Sequence, residues 1–284
     1  MNQNRKVLKT IIKCLPLLLL GSCRAWSPAP EADMLKYELK GDVASMKNTV
    51  YKLDSTAGGY VASGIEASMS NIRVEFDTAG RTAVLEHFNR SNQLTAKEVY
   101  KYNQDGQPVS KTVVLDDGTV KERTDYSYRR GRLQSITVTD GKDSLVKHED
   151  YIYFGRDSVK SEFSFKGDTV SGYRVTRYDS LGRNIGSVTY SARDNSVIGR
   201  MSIMYDSLGR RKSITSDDIF FKNLESRMSY GDNGFCSAME MEGRGGRVEM
   251  RYSFKTDTAG NWTERVTYRD GSPVRVEVRE ISYR

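Results

Sequence analysis

From about residue 70 to the C-terminus, apolar and polar side chains alternate with a period of two, and the alternation restarts at regular intervals. Val74, Tyr100, Tyr126, Tyr151, Thr176, Ile203, Met228 and Phe254 form one series of corresponding positions, mostly apolar. Their next neighbours are Glu75, Lys101, Ser127, Ile152, Arg177, Met204, Ser229 and Lys255, mostly polar. Side chains two apart share a strand face, so the pattern predicts strands with one apolar and one wet face. The chain holds five prolines, and no helical period runs through this region.

Each restart is a turn. FDTAGR begins at Phe76, YNQDGQ at Tyr102, YRRGR at Tyr128 and YFGRD at Tyr153. YDSLGR occurs at Tyr178 and again at Tyr205, followed by YGDNGF at Tyr230 and TDTAGN at Thr256. In YDSLGR, Asp179 or Asp206 can accept a backbone N–H two residues on. Gly182 or Gly209 can take a positive φ. That pair suits a hairpin turn ending in a left-handed glycine. A second set lies between: DDGT at Asp116, TDGK at Thr139, KGDT at Lys166 and RDGS at Arg269. The reading is all-β: a repetitive antiparallel hairpin meander of about 25–26 residues per repeat. Repeats that stack bury an apolar face that none buries alone. A curled open sheet or partly closed roll is expected, because long twisted sheets rarely stay flat.

The Y-D-x-x-G-R spelling resembles YD repeats, also called Rhs repeats. The opening LKGDVASMKNTVYKL and the closing GNWTERVTYRDGSPVRVEVREISYR resemble the end segments of YD-repeat lipoproteins of the Bacteroidota type. Tyr128, Tyr153 and Tyr230 depart from the spelling in the Asp, the loop length or the final Arg. The resemblance implies a repeat sheet without the shell and toxin of the large Rhs proteins.

The N-terminus changes the setting. Arg5, Lys6, Lys9 and Lys13 make a positive n-region, and a short apolar run from Ile11 to Leu20 is broken by Lys13 and Pro16. That run is too short to span a bilayer and reads as a secretory signal over residues 1–22. Leu20-Gly21-Ser22-Cys23 resembles a lipobox, which implies a thioether-linked diacylglyceryl group on Cys23 and acylation of its amine. Residues 23–38 then form a lipid-anchored linker with prolines at 28 and 30, and residues 39–284 the β-repeat domain. Arg24 lacks the acidic character of an inner-membrane retention signal, so the expected location is the cell envelope, on the outer membrane. Four of the 44 basic residues lie in the leader and none of the 37 acids does, so the net charge falls from +7 to +3. The charges are interleaved along the strands, which excludes a nucleic-acid footprint.

Little chemistry stands out. Cys14 leaves with the leader and Cys23 takes lipid, so Cys236 remains as a single thiol without a disulfide partner. His87 and His148 stand apart, and no metal-ligand spacing, nucleophile elbow or phosphate loop is present. No cofactor and no catalysis are expected. Asp-Ser/Thr triplets place Ser55, Thr78, Ser144, Ser158, Thr169, Ser180, Ser207 and Thr258 in a pattern resembling an O-glycosylation signal of exported proteins. The same pairs are good turn formers, and both readings stand. Two functions are expected: a binding module, with glycans as ligands if aromatics such as Phe154 or Phe221 face outward, or a scaffold that pairs with an envelope protein. The Arg- and Glu-rich last strand, Val274–Tyr283, is expected at a sheet edge, where its charges oppose casual pairing.

Overall fold

The computed structural model describes residues 33–56, 59–155, 157–165, 169–218 and 221–284. The leader, Cys23 and most of the linker lie outside the described residues. Apart from one four-residue helical turn, α1 (Asp33–Lys36), the regular elements are strands. In chain order they are β1 (Val43–Thr56), β2 (Gly59–Ile65), β3 (Ile72–Phe76), β4 (Thr82–Phe88), β5 (Leu94–Tyr102), β6 (Pro108–Leu115), β7 (Val120–Arg129), β8 (Arg132–Asp140), β9 (Leu145–Phe154) and β10 (Ser158–Phe165). They continue as β11 (Gly172–Tyr178), β12 (Asn184–Ser191), β13 (Val197–Tyr205), β14 (Arg211–Asp218), β15 (Leu224–Tyr230), β16 (Cys236–Gly243), β17 (Gly246–Thr256), β18 (Trp262–Arg269) and β19 (Ser272–Tyr283). The predicted all-β antiparallel meander is what the structure shows. Two compact units divide it, one of residues 33–97 and 225–284, the other of residues 98–224.

In the first unit, β15 to β19 pair in sequence as antiparallel hairpins, and β3 pairs with β4. The first strand lies beside the last: β1 pairs with β19 from Val43↔Tyr283 to Lys52↔Arg275. On its other side β1 pairs first with β3, through Ser45↔Glu75 to Asn48↔Ile72, and then with β2, through Tyr51↔Ile65 to Thr56↔Gly59. This corrects the expected open sheet. Neither β1 nor β19 is a free edge, because each has a partner on both sides. Arg284 locks the seam, donating to Asp42 Oδ1 at 2.6 Å and to the carbonyls of Phe76 and Asp77 at 2.6 and 2.8 Å.

Where β1 changes partner, its backbone would be stranded. Asn71 fills the gap: Oδ1 accepts from Val50 N at 2.7 Å and Nδ2 donates to Glu66 O at 2.7 Å. Buried backbone groups need partners, and here a side chain supplies them. One face of this unit is apolar: Met46, Val50, Val74 and Trp262 are all but fully buried. Met228, Met239 and Met250 stand directly opposite one another on three adjacent strands. Tyr37 and Leu39, just after α1, are buried in the same unit, and Tyr37 meets Phe76 edge-on at 6.1 Å.

In the second unit β6 to β8, and then β8 to β14, pair consecutively and antiparallel. Its repeats interlock through a recurring arginine–tyrosine arrangement. The Arg183 guanidinium lies 4.5 Å from the ring of Tyr205, whose hydroxyl donates to Asn184 O at 2.8 Å. Arg132 and Tyr153 repeat the arrangement at 5.2 Å, with Tyr153 donating to Leu133 O at 3.0 Å. Each such pair joins a cation–π contact of about 0.5–2 kcal/mol to a hydrogen bond of about 1 kcal/mol.

Candidate functional site

The repeat turns are hydrogen-bond devices. Asp179 Oδ1 accepts from Leu181 N at 3.0 Å and Arg183 N at 2.9 Å, and Oδ2 takes Arg183 Nε at 2.7 Å. Gly182 closes the loop at φ 74°. Asp206 holds Leu208 N, Arg210 N and Arg210 Nε in the same way, with Gly209 at φ 81°. Burial alone would push the Asp179 carboxyl up, but the Arg183 hydrogen bonds and charge hold it below the usual aspartate range. A β-bulge sits at the aromatic before these turns, at Tyr178 and at Tyr205. These aspartates are fully engaged by their own turn.

The turn at Asp257 departs from the spelling and has another task. Asn261 stands where the others carry Arg. It is fully buried and clamps the backbone of Lys40, accepting from its N–H at 2.6 Å and donating to its carbonyl at 2.9 Å. The Tyr283 hydroxyl then donates to Asp257 Oδ2.

Among the Asp-Ser/Thr residues, Thr78, Ser144, Thr169, Ser180, Ser207 and Thr258 are exposed, Ser158 is half-buried, and Ser55 belongs to β1. His87 is on β4 and His148 on β9, where His148 Nδ1 meets Thr137 Oγ1 at 3.0 Å. No group of three or more metal-ligating side chains occurs among the described residues. Cys236 is half-buried. Burial first and the Glu38 carboxylate second push its thiol up to about 11, so it is protonated at neutral pH and a poor nucleophile.

The wet face is as the alternation predicts. Lys101, Ser127, Ile152, Arg177, Met204, Ser229 and Lys255 are all exposed, and Glu75 is half-buried. Charges dominate it in each unit: Arg73, Arg227, Arg251 and Lys255 in the first, Lys101, Arg123, Asp125, Arg177, Arg200 and Asp217 in the second. Of the two aromatics singled out for a sugar platform, Phe154 is exposed and Phe221 half-buried. A tyrosine pair was missed. Tyr173 stacks on Tyr190 at 4.8 Å and 15°, while Lys160, from the strand on the other side, lies 4.5 Å from its ring. Tyr173 therefore has neighbours towards both flanking strands, which is cross-strand packing rather than an open sugar shelf.

A group of buried charged and polar residues lies on the apolar face of the first unit. In cross-strand register, Arg265 stands opposite Glu277, Thr267 opposite Arg275, and Arg279 opposite Asn48. Arg265 Nη2 donates to Glu277 Oε2 at 2.7 Å, and Arg275 Nε lies 3.6 Å from Glu277 Oε1. A bulge between Lys255 and Thr256 brings Trp262 opposite Thr256 and turns the indole to the same face. There the Arg279 guanidinium sits 3.3 Å from the ring centroid and that of Arg265 4.9 Å. The segment after α1 covers the group: Arg279 Nη1 donates to Tyr37 O at 2.9 Å, and Trp262 Nε1 to Glu38 Oε2 at 3.3 Å. Five buried polar atoms here have no hydrogen-bond partner: Arg265 Nε, Arg275 Nε, Arg279 Nε, Thr267 Oγ1 and Asn48 Oδ1. Burial, and next the positive charge of Arg265, push Arg279 down to about 9. Burial works against the Glu277 charge, yet Arg265 and Arg275 hold its carboxyl below the usual glutamate range.

This cluster was not foreseen, because VRVEVRE in β19 reads most simply as valines inward and charges outward. The pairing with β1 sets the opposite register and turns the charges in. A one-residue slip reverses every side chain of a strand.

No known protein family matches the chain, and no curated protein does either. Among solved structures it is similar to a porin-like protein from Bacteroides uniformis ATCC 8492, with a TM-score of 0.42 and 10% identity, over 86% of this chain and 99% of that one. A second is a porin-like protein from Bacteroides vulgatus ATCC 8482, with a TM-score of 0.37 and 13% identity, over 68% of this chain and 95% of that one. These findings correct the family reading. No YD-repeat family answers to the chain, and the β1–β19 pairing removes the open ends that reading required.

Proposed function

We propose that this chain is a non-catalytic binding protein of the cell envelope: an antiparallel meander whose first and last strands pair, held at the outer membrane by lipid on Cys23, with its strands in water. The observation that carries the reading is the charged, exposed face of the strands in each unit. A membrane-spanning sheet shows lipid an apolar band about 25 Å tall, and each Arg or Lys at mid-bilayer costs about 2–4 kcal/mol. Arg73, Arg123, Arg177, Arg200, Arg251 and Lys255 all stand on that face. The porin-like neighbours agree with an envelope setting, and the lipobox supplies the attachment without insertion. The protonated Cys236 thiol and the self-satisfied turn aspartates support the non-catalytic reading.

Fractionation of a Cys23→Ala variant tests this. The expected result is loss of acyl label and recovery of folded protein in the soluble fraction without detergent. Retention of the unacylated variant in alkali-washed membranes overturns the reading. A protein-partner scaffold is the second reading, favoured by apolar residues bared in the second unit: Leu208 is 74% exposed, Leu181 65% and Phe154 52%. Cross-linking from these positions in intact envelopes separates it from small-ligand binding.

A further inference from the structure

The buried arginine group is costly as it stands. Guanidinium N–H groups and a hydroxyl taken from water without a partner are strongly unfavourable, and natural structures hold few of them. Here five atoms without a hydrogen-bond partner lie on one face of three adjacent strands, Arg275 Nε having only the Glu277 carboxylate at 3.6 Å. Three guanidiniums face two carboxylates, Glu277 and Glu38, which leaves one positive charge uncompensated. Arg279, at 6% exposure, is fixed from two sides, by the indole of Trp262 and by the carbonyl of Tyr37. Its Nε–H is thus preset rather than free to seek water. Arg265 and Arg275 keep 20% and 17% of their side chains exposed, so the group opens to solvent on their side.

We propose that Arg265, Arg275, Arg279, Thr267 and Asn48 form a binding site for a small carboxylate monoanion that carries a hydroxyl donor. Three features select this class. A single residual positive charge matches a monoanion better than a phosphate dianion. Guanidinium edges match the planar carboxylate, which accepts two N–H groups side by side. Asn48 Oδ1 is an unpartnered acceptor whose amide nitrogen is already fixed on Ser70 O at 2.7 Å, so the ligand must bring a donor to it. Glucuronate and lactate have this chemistry; acetate lacks the donor. The inference rests on the binding-protein reading, but membrane partition of Cys23→Ala reports on that reading without reference to any ligand.

The test is calorimetric titration of the full-length protein in detergent micelles with glucuronate, lactate, acetate and inorganic phosphate. The expected result is saturable binding of a hydroxycarboxylate, with acetate weaker by about tenfold or more, the scale of a lost hydrogen bond to a charged site. Arg279→Lys keeps the charge but loses the edge and should weaken binding by a similar factor. Arg275→Gln, at a position 17% exposed, gives an independent loss where Arg279→Lys fails to fold. Arg227→Lys on the outward face should bind as the parent does. Heat from none of the four anions, preference for phosphate, or affinity unchanged in both site variants overturns the proposal.

Discussion

Replacing Asn71 with alanine strips two hydrogen bonds from the place where β1 exchanges β3 for β2. Val50 N–H loses its 2.7 Å acceptor while its residue stays fully buried, and Glu66 O loses its 2.7 Å donor. An orphaned buried N–H costs about 1–3 kcal/mol, and the second bond adds about 0.5–1.5 kcal/mol. The expected loss is about 2–4 kcal/mol, a large part of a domain stability of about 5–15 kcal/mol. With a urea slope of about 2–3 kcal/mol/M, the unfolding midpoint should fall by about 1 M. Hydrogen exchange adds a local readout, because the Val50 amide should lose protection far more than the amides of β17 and β18. A midpoint within about 0.2 M of the parent, with Val50 still protected, would refute the claim that a side chain holds this junction.

The turn glycine offers a second check: Gly182→Ala forces a Cβ onto a residue at φ 74° and should cost about 1–2 kcal/mol in urea unfolding. Acid stability follows from carboxylates whose folded values are lowered, Glu277 from about 4.5 and Asp77, Asp179, Asp206 and Asp257 from about 3.8. Such groups stabilise fully above their unfolded values and less as pH falls through the folded ones. The urea midpoint should therefore hold from pH 7 to about pH 5 and drop below about pH 4.5, with a shallower drop in Glu277→Gln. Cys236, raised to about 11, should alkylate with iodoacetamide far more slowly at pH 8 than a free peptide thiol and react fully only in denaturant.

The alternation and the turns were legible because both are local. Val74, Ile203 and Met228 are buried where the period of two puts them, and Lys101, Arg177 and Lys255 are exposed. Asp179 and Gly182 serve the turn that their spacing describes. The seam was not legible, because pairing between residues 43–52 and 275–283 spans the chain and leaves no periodic mark. The arginine group was hidden for the same reason: only that pairing decides that Arg275, Glu277 and Arg279 point inward. Asn261 gave a weak signal, since it replaces the Arg of FDTAGR in an otherwise similar TDTAGN. Its reason, a clamp on Lys40, lies 221 residues away.

The most direct measurement of the account is aqueous labelling of the outward face in intact envelopes. Ser127, Ser202, Ser229 and Ser253 are exposed on strands of that face, and each is to be changed in turn to cysteine. With the parent Cys236 thiol slow to react, a charged maleimide reads the new thiols alone. Strands in water predict labelling at all four positions at rates near those of an exposed loop thiol, with no protection by the bilayer. Protection at all four, relieved only by detergent, would place the strands in lipid and contradict the account.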